Sequence, residues 1–155
     1  MSKQFLTMGV SGCGKTTVGK RLAYELGARF FDADDFHPAA NRDKMCRGIP
    51  LDEEDRQPWL KSICAIIAAH PQSFVLACSA LRESYRQQLL AACPEMKIIH
   101  LLGSRELLLE RLQQRKGHFM PASLLDSQLA TLEAPAAALT LNVELTPEKL
   151  IELIV

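Results

Sequence analysis

The sequence predicts an α/β fold, a parallel sheet covered by helices on both faces. Three observations predict it. Short apolar segments alternate with segments of helical period along the whole chain. The candidate strands are apolar throughout and are separated by helices, so consecutive strands cannot pair as hairpins. The octapeptide GVSGCGKT, Gly9 to Thr16, has the GxxxxGK[ST] form of a phosphate-binding loop and stands between the first strand and the first helix.

The elements follow in order. Phe5, Leu6 and Met8 make a first strand over Gln4–Met8. Val18, Leu22, Ala23 and Leu26 recur at helical spacing over Lys15–Leu26, and Gly27 ends that helix. A second strand, Arg29–Asp32, leads to a helix over Pro38–Arg47. The next helix is predicted over Pro58–Ala69, with Asp52 to Asp55 suited to the positive end of its dipole and Trp59 a core or groove-wall aromatic. A strand at Phe74–Cys78, a helix at Glu83–Ala92 and a strand at Lys97–Leu102 come next. Ser104 caps a helix predicted over Ser104–Lys116, with Leu107, Leu108 and Leu112 on one face and Gly117 as its stop. A helix over Ala122–Glu133 packs through Leu124, Leu125, Leu129 and Leu132. A last strand, Leu139–Val143, precedes a helix over Pro147–Ile154 that Thr146 and Pro147 start. Pro71, Pro94 and Pro135 fall in connections. No repeat or linker divides residues 1–155, so a single domain is expected.

Bulk composition narrows the classes. A hydrophobic fraction of 48% excludes a disordered chain. Lys plus Arg and Asp plus Glu are 18 each, so no basic excess points to nucleic acid or to an anionic membrane. The apolar stretches are too short to span a bilayer. The five cysteines are odd in number, form no CxxC pair and follow no signal peptide, which predicts a reduced, cytoplasmic setting. Zinc-ligand spacing is missing.

In such a sheet ligands bind beyond the carboxyl ends of the strands. In the loop, Gly9, Val10, Ser11, Gly12, Cys13 and Gly14 offer backbone N–H groups to an anion. Lys15 supplies charge to the β- and γ-phosphates, and Thr16 offers a hydroxyl to Mg²⁺. The glycines allow that close backbone approach. Cys13 stands near a helix N-terminus, where thiol pKa values fall; alkylation is expected to inhibit and ATP to protect.

Asp32, Asp34 and Asp35 cluster after the second strand, ahead of Phe36, His37 and Pro38. Mutually repelling carboxylates call for cations, a metal or a hydroxylated ligand; the alternative is a solvated turn capping the next helix. Asp32 is placed for the Mg²⁺ shell through water, and Asp34 for a substrate hydroxyl. Lys44 and Arg47 are three apart and share a helix face that can hold a carboxylate, or form an ordinary exposed basic face. Cys78 and Ser79 follow the third strand where many phosphate-loop enzymes place an aspartate, which points to the second-strand aspartate instead. Arg82 can reach the cleft, and Tyr85 and Arg86 lie one helical turn on; the alternative for Arg86 is a surface salt bridge. Arg111 and Arg115 lie four apart on the fifth helix and lead into Lys116 to Pro121, a candidate lid at about 116–135 that closes over a triphosphate. His118 is a lid contact or a structural residue, and the following helix offers Gln128.

Taken together, GVSGCGKT, DADDFHPAANRDKMCRGIPLDEEDRQPWL, CSALRESYRQQL and RLQQRKGHFMPASLLDSQLATLEAP resemble the gluconate kinase (gluconokinase) family of small P-loop kinases. These stretches run from Gly9 to Pro135, and HPxxNxxKMxxGxPL, CSAL and GHF are more specific than the loop. The resemblance implies a three-layer fold with a five-stranded parallel sheet in the order 2-3-1-4-5, like shikimate and nucleoside monophosphate kinases. It implies phosphorylation of D-gluconate by ATP with Mg²⁺, usually in a homodimer. Two departures stand out: Cys13 replaces a frequent serine, and Asn142 and Glu144 stand where the family tends to have aspartates, which weakens adenine contacts there. The expected catalytic residues are Lys15, Asp34 and Arg115. Gly9 to Thr16, Arg111 and Arg115 are expected to hold ATP. The substrate set is Asp34, His37, Lys44, Arg47, Arg82, His118 and Gln128. A kinase for another hydroxy acid, and a nucleotide-binding module without an acceptor, are the competing readings.

Overall fold

The computed structural model describes residues 2–114 and 122–155. Five strands form one sheet: β1 (Gln4–Met8), β2 (Arg29–Asp32), β3 (Phe74–Ala77), β4 (Lys97–Leu102) and β5 (Leu139–Asn142). All pairings are parallel, and the spatial order is β2-β3-β1-β4-β5, as the resemblance implies. The helices are α1 (Lys15–Leu26), α2 (Ala39–Cys46), α3 (Glu53–Ala68), α4 (Glu83–Ala92), α5 (Arg105–Gln113), α6 (Ala122–Thr131) and α7 (Pro147–Ile154).

The central strands are buried on both faces, which is why they read as apolar runs. Their side chains still alternate between two cores, as a period of two requires. Phe5, Val75, Ile99 and Leu101 pack with α1, α5, α6 and α7, through Val18, Leu22, Leu108, Leu125 and Leu150. Leu6, Met8, Phe74, Leu76 and Ile98 pack on the other side with α3 and α4, through Trp59, Leu60, Ile63 and Leu89. Helix α1 lies close on the sheet: a Cβ at Gly19 would come within 2.8 Å of the Phe30 ring.

Three local features differ from expectation. Helix α3 starts at Glu53 rather than Pro58, because Asp52 and Asp55 form a capping box. The Asp52 carboxylate accepts from the Asp55 N–H at 2.8 Å, and the Asp55 carboxylate accepts from the Asp52 N–H at 3.0 Å. Pro58 therefore sits inside the helix and forgoes one ladder hydrogen bond. A 3-10 turn, Ala33–Phe36, occupies what reads as a plain connection, and Asp32 caps it by accepting the Asp34 N–H at 3.0 Å. Arg86 is not at the surface. It is 1% exposed and donates to the carbonyl oxygens of Ala80 at 2.7 Å and Glu133 at 2.6 Å, and to the Glu83 carboxylate at 2.7 Å. It ties the segment after β3 to the end of α6. The other boundary shifts trim segment ends: α2 keeps Ala39–Cys46, β3 stops at Ala77, β5 at Asn142 and α6 at Thr131.

Candidate active site

The phosphate loop joins the carboxyl end of β1 to α1. Gly9 has φ +150°, and a Cβ there would meet the Leu101 carbonyl oxygen at 2.7 Å, so no larger residue fits. Gly14 turns the chain into α1 with φ 90° and gives the helix no side-chain cap. The first-turn N–H groups of α1 are thus left to an anion. The loop is tied to its neighbours: the Gly9 N–H donates to Ser79 O at 3.4 Å, and the Ser11 N–H donates to Gln128 Oε1 at 2.7 Å. Gln128 on α6 thus reaches the loop itself. Lys15 Nζ lies 3.3 Å from Val10 O, folded over the loop.

Sheet order decides the next contact. With β3 between β2 and β1, the end of β2 faces the start of α1. Thr16 Oγ1 donates to Asp32 Oδ2 at 3.3 Å, so the expected Mg²⁺ ligands of the sequence reading are neighbours. Both are hard oxygen donors, as Mg²⁺ requires. Cys78, at the end of β3, is buried and its thiol is pushed up to about 12, so it offers no charge here. Among the described residues no group of three or more His, Cys, Asp or Glu makes a protein-only metal cage.

Asp34 follows one turn beyond Asp32. Its side chain is 76% exposed at the mouth of the concave face. Partial desolvation by the surrounding protein raises its carboxyl above the usual range, Asp32 adds repulsion, and Lys15 and His37 oppose both. His37 lies beneath it, 8% exposed, its ring stacked on Trp59 at 4.6 Å and 9°. Burial lowers its pKa, against the pull of Asp34.

Cys13 overturns one expectation. Its side chain is 1% exposed within the apolar core, and burial raises the thiol rather than lowering it, outweighing Lys15. Helix-end activation requires an accessible sulfur, which this one is not. Beside the loop, a cavity of about 270 Å³ is walled by Thr17, Val18, Arg111, Val143, Leu145 and Leu150. Arg111 Nη2 donates to Val143 O at 2.5 Å, which holds its guanidinium at the cavity wall.

A family model described as AAA domain matches residues 5–135. The probable gluconokinase of Xenopus tropicalis is 49% identical over 84% of this chain and 78% of its own length. The gluconokinase of Gluconobacter oxydans is 50% identical over 84% of this chain and 75% of its own length. The crystal structure of a gluconokinase from Sinorhizobium meliloti superposes with a TM-score of 0.89 at 40% identity, over 97% of this chain and 87% of that one. The chain belongs to the gluconokinase family.

In this gluconokinase fold the expected carboxylate-binding cations are dispersed. Lys44 Nζ is held by Asp55 at 2.7 and 2.9 Å. Arg47 pairs with Asp43 at 3.3 Å on an exposed face. Arg82 is exposed at the N-cap of α4 and has no ion pair among the described residues. Arg115 and His118 lie outside the described residues, as does 116–121 of the lid segment. Further side chains shape this region without having been expected in the site. Asn41, 2% exposed, bonds His37 and the start of α3. Trp59 anchors its Nε1–H on Ala33 O at 2.7 Å. Arg56 and Glu53 meet the Tyr85 hydroxyl, which donates to Glu53. The i,i+4 spacing of His37 and Asn41 was the available signal.

Proposed function

We propose that the protein is an ATP-dependent gluconokinase that transfers the γ-phosphoryl group of ATP to the terminal hydroxyl of D-gluconate, giving 6-phospho-D-gluconate. The acceptor's identity is carried by family membership. The contact that supports the chemistry is Thr16 Oγ1 with Asp32 Oδ2 at 3.3 Å, at the mouth of an anion-binding loop and beside a second carboxylate. Thr16, with Asp32 acting through water, would hold Mg²⁺, which would supply positive charge to neutralise the phosphates.

In this reading the loop amides from Gly9 to Thr16 and Lys15 Nζ hold the β- and γ-phosphates. Lys15 leaves Val10 O to do so, and Ser11 exchanges Gln128 for phosphate or substrate. The cavity beside Thr17 and Val18 takes the nucleoside, with Arg111 on its wall. Asp34 accepts a hydrogen bond from the attacking hydroxyl and then its proton, as the new O–P bond forms and the bond to ADP breaks. Arg82, with Arg47 or Lys44, receives the sugar-acid carboxylate, where a planar guanidinium binds bidentately. His37, His118 and Gln128 complete the substrate set. Arg115 neutralises charge on the transferring group as the 116–135 segment of this single domain closes. Positioning and electrostatics supply the catalysis.

No described helix is long and apolar enough to cross a membrane. The free cysteines suit a reducing compartment, and we assign the enzyme to the cytoplasm as a homodimer serving gluconate utilisation. A coupled ADP-release assay over gluconate, other aldonates and shikimate tests the assignment. Gluconate is expected to give the highest kcat/KM, and preference for another acid would refute it.

A further inference from the structure

Asn41 sits one helical turn after His37, sealed from solvent. Its Nδ2 lies 2.8 Å from the Asp55 carbonyl oxygen and 3.2 Å from His37 Nδ1. A carbonyl oxygen only accepts, so the atom facing it is the NH₂ group, and the second hydrogen of that group points at Nδ1. Nδ1 therefore accepts, and the proton of the neutral ring is on Nε2. That nitrogen lies 3.9 Å from Asp34 Oδ1. The gap is too long for a hydrogen bond. It admits one oxygen at about 3 Å from each atom, accepting from Nε2–H and donating to the carboxylate. The ring cannot turn to escape this role, because it is stacked on Trp59 and its side chain is 5% exposed.

We propose that Asn41 is a positioning residue that fixes His37 as the Nε2–H tautomer, so that His37 and Asp34 clasp one substrate hydroxyl as a donor and acceptor pair. The clasp rests on the gluconokinase reading; the tautomer does not. The oxygen so held gives its proton to Asp34 and one lone pair to Nε2–H. Its other lone pair is left to attack phosphorus. The charged groups facing His37 are Asp34 from the 3-10 turn, Arg42 from α2 and Arg56 from α3. Burial and both arginines disfavour the imidazolium and only Asp34 favours it, so the ring stays neutral near pH 7.

The test uses the full chain labelled with ¹⁵N-histidine, whose four imidazoles resolve in long-range ¹H–¹⁵N spectra, with His37→Gln assigning the signal. His37 is expected as the Nε2–H tautomer. Asn41→Asp, which presents an acceptor to Nδ1, is expected to place a proton there and raise the His37 titration midpoint. Its kcat on gluconate falls about tenfold or more, with KM for ATP changed less than about twofold. A wild-type Nδ1–H tautomer overturns the proposal, whether or not the variant folds. A shifted tautomer with unchanged kcat also overturns it. A wild-type enzyme that phosphorylates no sugar acid removes the clasp with the underlying reading, a distinct failure because the tautomer is read without substrate.

Discussion

Replacing Asp34 by asparagine should slow the enzyme and stabilise its fold together. Two carboxylates, Asp32 and Asp34, are held one turn apart by the 3-10 cap, and Asp34 is partly desolvated. A carboxyl whose pKa is raised by folding favours the folded state when protonated. That stability is present below the ordinary carboxylate pKa and is lost as pH rises through the raised, folded-state value. At pH 7 the native protein therefore carries the cost, and a neutral asparagine relieves it. Because the side chain is 76% exposed, water screens the effect to no more than about 1 kcal/mol. In a domain of this size that is a Tm increase of about 2–4 °C. Turnover moves the other way. Loss of a proton acceptor at the attacking hydroxyl costs about 10²- to 10⁴-fold in kcat, with little change in ATP affinity. In the wild type, kcat/KM should rise with pH through an apparent pKa above the usual carboxylate range, and Asp34→Asn should lose that limb. Differential scanning fluorimetry and a coupled ADP assay from about pH 4.5 to about pH 8, above the ordinary carboxylate values of about 4, read both effects. An Asp34→Asn enzyme with normal turnover, or one that is less stable at pH 7, refutes the reasoning.

Lys15→Ala should lower kcat by orders of magnitude with an unchanged circular dichroism spectrum, since among the described residues the Lys15 ammonium makes a single hydrogen bond, to Val10 O; retained turnover would remove its role. Cys13 should resist thiol reagents in the native state while exposed Cys46 reacts, as peptide mass spectrometry would show; rapid labelling of Cys13 would contradict its burial. Arg86→Met should destabilise the protein by about 2–5 kcal/mol in urea unfolding, because it leaves the Ala80 and Glu133 carbonyl oxygens without their donor. A change below about 0.5 kcal/mol would show that those groups find other partners.

The sheet was legible because each central strand is an uninterrupted apolar run and each crossover carries helical period. Helix α1 was legible to the residue, with a glycine on each side of it. The late prediction of α3 came from beginning the helix at Pro58. Asp52 and Asp55 cap each other, and that signal was present three residues apart. The site divides in the same way. Thr16 and Asp32 come together because both lie at strand or helix ends, where topology dictates proximity. The fates of Lys44 and Arg47 were not readable, because a long side chain chooses among partners that only the fold supplies. Cys13 illustrates the converse. Its position beside a helix N-terminus suggested an activated thiol, yet the turn at Gly12 and Gly14 aims the side chain inward, where desolvation dominates. Arg86 does pair with Glu83, but its burial was not readable, because spacing along a helix describes a face without saying what covers it.

The most direct measurement is ³¹P NMR of the product formed from ATP, Mg²⁺ and D-gluconate. The account predicts a phosphomonoester resonance coupled to the two protons of a single carbon, as a phosphate on the terminal CH₂–OH requires. Inorganic phosphate as the sole new signal besides those of ADP, or an ester on a secondary hydroxyl, would contradict it.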